Sequence, residues 1–411
     1  MTRLSLARPV VVAAAVLLAS VASGSPALAA PPGSPPLAAP AGSPVLDTRA
    51  GAPAVKPAVL GKLLDRAAGL PGFKSAEAGD TRIQVNRRSG RWAFGTAVLL
   101  APASEGGEPR DWLFLAERRD GRWHVSFDGE PAFGALSARA PMLSAREQRV
   151  LASHGGEPQT QTGNEVRTRM RLPWALGQSW TLLGGPHAWD AGSGPWSSLD
   201  LAGGDQRVLA ARAGVAYTTC TGRILVYHGD GYTTRYYHLW DHINVDGASV
   251  GEGAFLGYTG TEVGCGGSAR SRHVHFSLLR NGDYVAIARH IIGKWVFMNG
   301  GSQYQGYALH GSTRVNVGGT LYNYGVLGLT QGVVDANGGG TLNKRSGPGT
   351  GYPVVGSVAD GTTVTISCSR NGTSHSGRWG TTALWNRLTD GTWVSDAYVY
   401  TGVSGPVNGW C

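Results

Sequence analysis

A mainly β fold built from antiparallel sheets is what this 411-residue sequence predicts. Glycine is abundant at 63 residues, and only 15% of the chain is charged. Valine, isoleucine, threonine and aromatic residues recur in short runs bounded by glycine and proline, which is the pattern of strands joined by tight turns. After the N-terminal third no long amphipathic helical period appears. The length allows two or three domains, each with its own core.

The first 30 residues read as a signal peptide. Arg3 and Arg8 supply the positive start, Val10 to Val21 the apolar stretch, and Ala27-Leu28-Ala29 the small-residue cleavage site. The apolar stretch is too short to span a bilayer, so a secreted, extracellular protein with no membrane contact in its mature form is expected. Residues 31–58 are rich in Pro, Ala and Gly and read as a flexible leader.

Residues 59–150 form a small α+β unit, a propeptide or accessory domain, without a cluster of ligand-type residues. It holds a helix over Leu60 to Ala68 and strands starting at Trp92, Trp112 and Trp123, with an Asp120-Gly121 hairpin turn between the last two. Residues 151–165 read as a linker and processing site. Residues 166–329 hold most of the histidine and tyrosine, and 223–239 is a hairpin about Gly229-Asp230-Gly231. A second, Gly-rich linker is expected over 330–340, suited to loose tethering. Residues 341–411 carry short strands with Gly/Pro turns, a small-barrel pattern.

The four cysteines suit an oxidising destination and allow three pairings. Cys220–Cys265 and Cys368–Cys411 are expected, because each bridge then stays within one segment. The net charge of +9 is spread without a Lys/Arg block. That suits attraction to an anionic surface such as a bacterial wall. It argues against nucleic acid, which calls for a basic stripe. A monomer is expected.

The chemistry gathers around Arg272-His273-Val274-His275-Phe276. Side chains alternate along a strand, so His273 and His275 point the same way. His187 follows Gly184-Gly185-Pro186, Asp200 lies in Ser197-Ser198-Leu199-Asp200-Leu201, and His238 follows Tyr236-Tyr237. A water-activating zinc site takes three protein ligands and leaves a fourth position open. His187, Asp200 and His275 would supply these for one Zn²⁺ per chain. His238 and His273 remain as acid/base groups, since no H-E-x-x-H helix supplies a glutamate.

With this order of residues, the segment from about 170 to 325 resembles the lysostaphin-type zinc endopeptidases, specifically their beta-lytic, staphylolysin-like branch. The resemblance implies His187, Asp200 and His275 as ligands, with His238 and His273 catalytic. It also implies a tyrosine near the oxyanion. Tyr304 is the candidate, against the plainer role of a groove-lining aromatic. Asp190, three residues after His187, is the rival to Asp200; the strand form of Ser-Leu-Asp-Leu-Ala and the longer spacing of the beta-lytic branch favour Asp200. Four ligands including His273 would close the site and make the metal structural; the resemblance argues against that. His228, His242, His290 and His310 read as ordinary turn or surface histidines, and His375 as surface in a Gly/Ser-rich loop. The run Leu342-Asn-Lys-Arg-Ser-Gly-Pro-Gly349, with Val394-Ser-Asp-Ala-Tyr-Val399, resembles bacterial SH3-like domains, which tether secreted hydrolases to walls. The function implied is a secreted zinc endopeptidase cutting Gly-containing cross-bridges of bacterial peptidoglycan. The alternatives are a protease of Gly-rich proteins such as elastin, or a catalytically dead wall-binding protein.

Overall fold

The computed structural model describes residues 54–102, 107–155, 166–188 and 194–411. The expected signal peptide, nearly all of the leader and most of the first linker lie outside the described residues. The fold is mostly β, in antiparallel sheets. Among the described residues no helix is long and apolar enough to cross a membrane.

The first helix spans Val55–Ala67, so it starts inside the stretch expected to be leader. Pro57 does not prevent this, because a first-turn proline loses no helical hydrogen bond. Val55, Val59, Leu63 and Ala67 form its buried stripe at four-residue spacing. A four-stranded sheet follows, in the order Thr81–Ser89, Trp92–Leu99, Arg110–Arg119, Arg122–Phe127. Asp120 and Gly121 both take positive φ, 50° and 76°, and make the hairpin the sequence announces. The edge strand Thr81–Ser89 escaped the sequence reading, because its few apolar residues alternate with Arg82, Gln84 and Asn86.

Two further short helices, Pro131–Ser137 and Ala145–Ala152, were also unexpected. Ser144 and Glu147 cap the second reciprocally. The expected linker therefore begins too early, since Leu151 and His154 are fully buried.

This N-terminal unit packs on one face of the next sheet. Phe94, Leu115 and Phe133 share a core with Val215, Tyr217, Leu225 and Tyr227. Asp111 is fully buried against Arg223, at 2.7 Å, and Arg235, at 3.0 Å. His154 donates its Nε2–H to the carbonyl of His228 at 2.7 Å. Burial lowers the His154 imidazole from its ordinary 6.5 to about 4, the His228 carbonyl and Asp230 opposing. Between those values the unfolded chain binds a proton there and the folded chain does not, so stability falls as pH drops from 6.5 toward 4. A His154→Gln variant should therefore lose less stability than the parent between pH 6.5 and 5, by about 2 kcal/mol. Urea unfolding at the two pH values checks this; identical losses would contradict it.

The central sheet has 11 strands among the described residues. Its main path runs Asp246–Val250, Gly214–Cys220, Arg223–Tyr227, Tyr232–Trp240, Val274–Arg280, Ser198–Ala202, Ser179–His187, Thr320–Tyr322. Trp174, Trp180, Leu199, Tyr236 and Phe276 fill its core. Both expected disulfides, Cys220–Cys265 and Cys368–Cys411, are formed.

At the C-terminus a seven-stranded sheet curls into a half-barrel. Gln331–Val334 is one of its strands, paired with Thr363–Gly377 and Val399–Tyr400, so the second expected linker opens with a strand of the sheet. His375 is not in a loop; it lies in the long Thr363–Gly377 strand opposite Thr382, with its ring 5.5 Å from Trp385. Nor is the tethering loose. Val333 shares a core with Ile291, Val296, Leu309 and Leu327, and Tyr400 donates to the Arg289 carbonyl at 2.7 Å. Deleting residues 331–411 should therefore lower stability by at least ~2 kcal/mol through exposed apolar surface. Calorimetry of the truncated chain checks this; an unchanged melting temperature would show that the contact carries no stability.

Candidate metal centre

Three adjacent strands build the centre. Asp200 stands opposite His275 on one neighbour and Gly184 on the other. Directly opposed residues on one face of a sheet place their side chains together. His187 ends the Ser179–His187 strand, beyond two register shifts that carry it past Gly184. A Cβ on Gly184 would sit 2.7 Å from Asp200 Oδ2, so only glycine leaves room for the carboxylate.

His187 Nε2 lies 3.3 Å from His275 Nδ1 and 3.6 Å from Asp200 Oδ1, and His275 Nδ1 lies 3.1 Å from Asp200 Oδ1. All three donor atoms fall within 4.8 Å of one another. Tetrahedral zinc with bonds near 2.0–2.1 Å has ligand–ligand edges of about 3.3 Å, so the spacing suits it. The donors are also chemically right, two imidazoles and a carboxylate. His187 donates Nδ1–H to the Gly185 carbonyl at 2.8 Å, which turns the Nε2 lone pair toward the centre. Burial alone would raise the Asp200 carboxyl, but His187, then His275 and His273, hold it well below the usual carboxylate range. Burial lowers His275 to about 4, with Asp200 opposing, so the ring is neutral and its lone pair available.

His238 and His273 stand beside this triad, their rings 4.8 Å apart. A bulge between His238 and Leu239 interrupts the pairing with Phe255–Glu262. His238 itself takes φ +66°, an uncommon conformation for a residue with a side chain. Its Nδ1–H bonds the Glu262 carbonyl at 2.9 Å and leaves Nε2 facing the cleft. Burial, then His273 and His275, lowers its imidazole to about 3. His273 bonds the Ser271 carbonyl in the same way at 2.7 Å. It lies outside the tight group of three donors, though its Nε2 is 3.6 Å from Asp200 Oδ1. Tyr304 stacks on the His187 ring at 4.0 Å. Asp190 lies outside the described residues.

The remaining histidines divide. His228 is not a surface residue: it is fully buried and bonds Ala213 and Thr234. His310 is buried too, stacked on Tyr324. His242 and His290 are partly buried.

The cleft over the centre has a volume of about 270 Å³ and is lined by Leu183, Tyr304 and the Ser268–Ser271 loop as well as by the histidines. One lining residue is unforeseen. Glu108 comes from the N-terminal unit, where the sequence shows no ligand cluster, and its Oε1 is 3.5 Å from His275 Nδ1. A Glu-Pro pair before a strand has no period or spacing that would single it out.

The sequence profile described as peptidase family M23 matches residues 194–287. The beta-lytic metalloendopeptidase of Lysobacter enzymogenes is 33% identical over 130 residues, 28% of this chain and 71% of that protein. Protease LasA of Pseudomonas aeruginosa is 34% identical over 148 residues, 33% of this chain. The match spans 35% of LasA's own length. Among solved structures, the M23 metalloprotease pseudoalterin from the deep sea is 29% identical, covering 37% of this chain and 97% of that one with a TM-score of 0.34.

Proposed function

The chain belongs to peptidase family M23, and we propose that it is a secreted zinc endopeptidase that cleaves Gly-containing peptide bonds in bacterial peptidoglycan. The observation that carries this reading is the triad of His187 Nε2, Asp200 Oδ1 and His275 Nδ1 within 4.8 Å, opening on a cleft beside two more histidines. In this reading these three side chains hold the zinc, which, when bound, polarises the scissile carbonyl and acidifies a water.

The chain's own residues then do the rest. His187 and Asp200 are fixed by the Gly185 carbonyl and by the space over Gly184. His238 and His273 turn their Nε2 atoms to the cleft, because their Nδ1 atoms are bonded to carbonyls. Either can accept a proton from the attacking water and return it to the leaving amine. Tyr304 holds the His187 ring from its open face and can direct its hydroxyl toward the developing oxyanion. A cleft this narrow favours glycine, whose missing side chain lets the backbone come close. The C-terminal half-barrel, read as SH3-like, would hold the wall.

Clearing of Gram-positive cell walls, with and without a chelator, tests the proposal. Both the chain and its Glu108→Ala variant are needed, since Glu108 enters the cleft. Chelator-sensitive clearing by either supports the reading. Clearing by neither, with no cleavage of a glycine peptide, would refute it.

A further inference from the structure

We propose that the C-terminal half-barrel carries a binding site for the free C-terminal carboxylate of a short peptide, in a pocket formed by His375, Trp385, Ser395 and Tyr398. The site is independent of the metal centre.

The pocket has a volume of about 320 Å³. Short strands bring its walls together. Trp385, in the Gly380–Leu388 strand, stands directly opposite Ser395, in Trp393–Ser395. Tyr398 follows in the single 3₁₀ turn Asp396–Tyr398. His375 comes from the long Thr363–Gly377 strand, its ring 5.5 Å from Trp385 and 6.2 Å from Tyr398. Trp385 is itself fixed, because its Nε1–H donates to the Thr373 carbonyl at 2.8 Å. Much of the wall is therefore ring surface, which suits the flat peptide unit.

Two polar atoms in this pocket lack partners. Ser395 is 3% exposed, yet its Oγ makes no hydrogen bond, and the same holds for the buried Nε2 of His375. Leaving such a group unpaired is costly, so two at one place call for a ligand that pairs with both. Arg345 adds a positive charge to the same pocket. It shares a face of the Thr341–Arg345 strand with Asn343. Its Nη1–H groups donate to the carbonyls of Thr350 and Tyr352 at 3.2 and 2.8 Å, which fixes the guanidinium. Among the described residues that line the pocket none is acidic. A hydroxyl, an imidazole N–H and a guanidinium can all donate, and together they match the two oxygens of a carboxylate. The preceding peptide unit then lies between Trp385 and Tyr398, where small residues fit. A chain end captured in this way is read by its charge. An endopeptidase makes a new C-terminal carboxylate at every cut. On that reading of the chain, which this consequence alone requires, the pocket holds the enzyme on wall it has begun to cut and raises the local concentration of uncut bonds.

Isothermal titration calorimetry of the full chain tests this, with acetyl-Gly-Gly, acetyl-D-Ala-D-Ala, the C-terminal amide of each, and inorganic phosphate. One equivalent of an acid should bind, and its amide at least tenfold more weakly. Ser395→Ala and His375→Phe should each bind the acid at least fivefold more weakly. Both should melt at or above the parent temperature, because each removes an unpaired buried atom. Tighter binding of the alanine acid identifies alanine-ended peptides as the source, and tighter binding of the glycine acid identifies glycine ends; either supports the site. Equal binding of acid and amide overturns it, as does binding of neither acid, or phosphate that binds as tightly as the acids. So does unchanged binding in either variant, or a lowered melting temperature in either, which would make the atom part of the fold. Chromatography after each titration checks that the probe is intact. Hydrolysis of acetyl-Gly-Gly bears on the metal-centre reading alone, and the alanine acid and amide then decide the matter.

Discussion

Replacing His187 by alanine should empty the metal centre and abolish hydrolysis. Its ring is fully buried, and its Nε2 is 3.3 Å from His275 Nδ1, so it is one corner of a three-donor site with no spare imidazole in the tight group. Losing an outer-shell partner costs about 10–100-fold in metal affinity, and losing a ligand costs more. Elemental analysis should find one zinc per parent chain and a clearly substoichiometric amount in His187→Ala. Tyr304 loses its stacking partner in that variant, so near-ultraviolet circular dichroism is needed to show that the fold survives. Full zinc in a folded His187→Ala chain would mean that the ligands are assigned wrongly.

The second large effect separates chemistry from binding. His238→Ala and His273→Ala, each in the Glu108→Ala background, should keep their zinc and lose about 10²–10⁴-fold in kcat. Both side chains are positioned by backbone carbonyls and lie outside the three-donor group. Loss of zinc from the His273 variant would point instead to a closed, four-ligand structural site.

The candidate site was legible where it depends on strand alternation. His273 and His275, and the alternation around Asp200, announce themselves in a few residues. Which partners they find depends on pairing across 75 residues for Asp200 and His275 and 88 for His187 and His275, and only the resemblance to a family supplied that. Glu108 was illegible because its position is set by Asp111 meeting Arg223, 112 residues away. His228 looked like a turn residue, and its sequence neighbours gave no sign that its ring would be buried against Ala213 and Thr234. The Gly380–Leu388 strand, and the part of the Thr363–Gly377 strand beyond Ser367, carry no sequence signal for another reason. Their hairpin tip is exposed on both faces, so its Gly, Ser and Asn residues carry no apolar period. The Ser144-to-Glu147 capping box, by contrast, is a helix-start signal carried by four consecutive residues.

The most direct measurement is metal reconstitution. The Glu108→Ala chain is stripped with a chelator, dialysed, and assayed on a pentaglycine peptide as Zn²⁺ is titrated back. The account predicts no hydrolysis by the stripped protein and a return that saturates at one equivalent of zinc. Hydrolysis that persists in the stripped chain, or a chain that takes up zinc and stays inert, would contradict it.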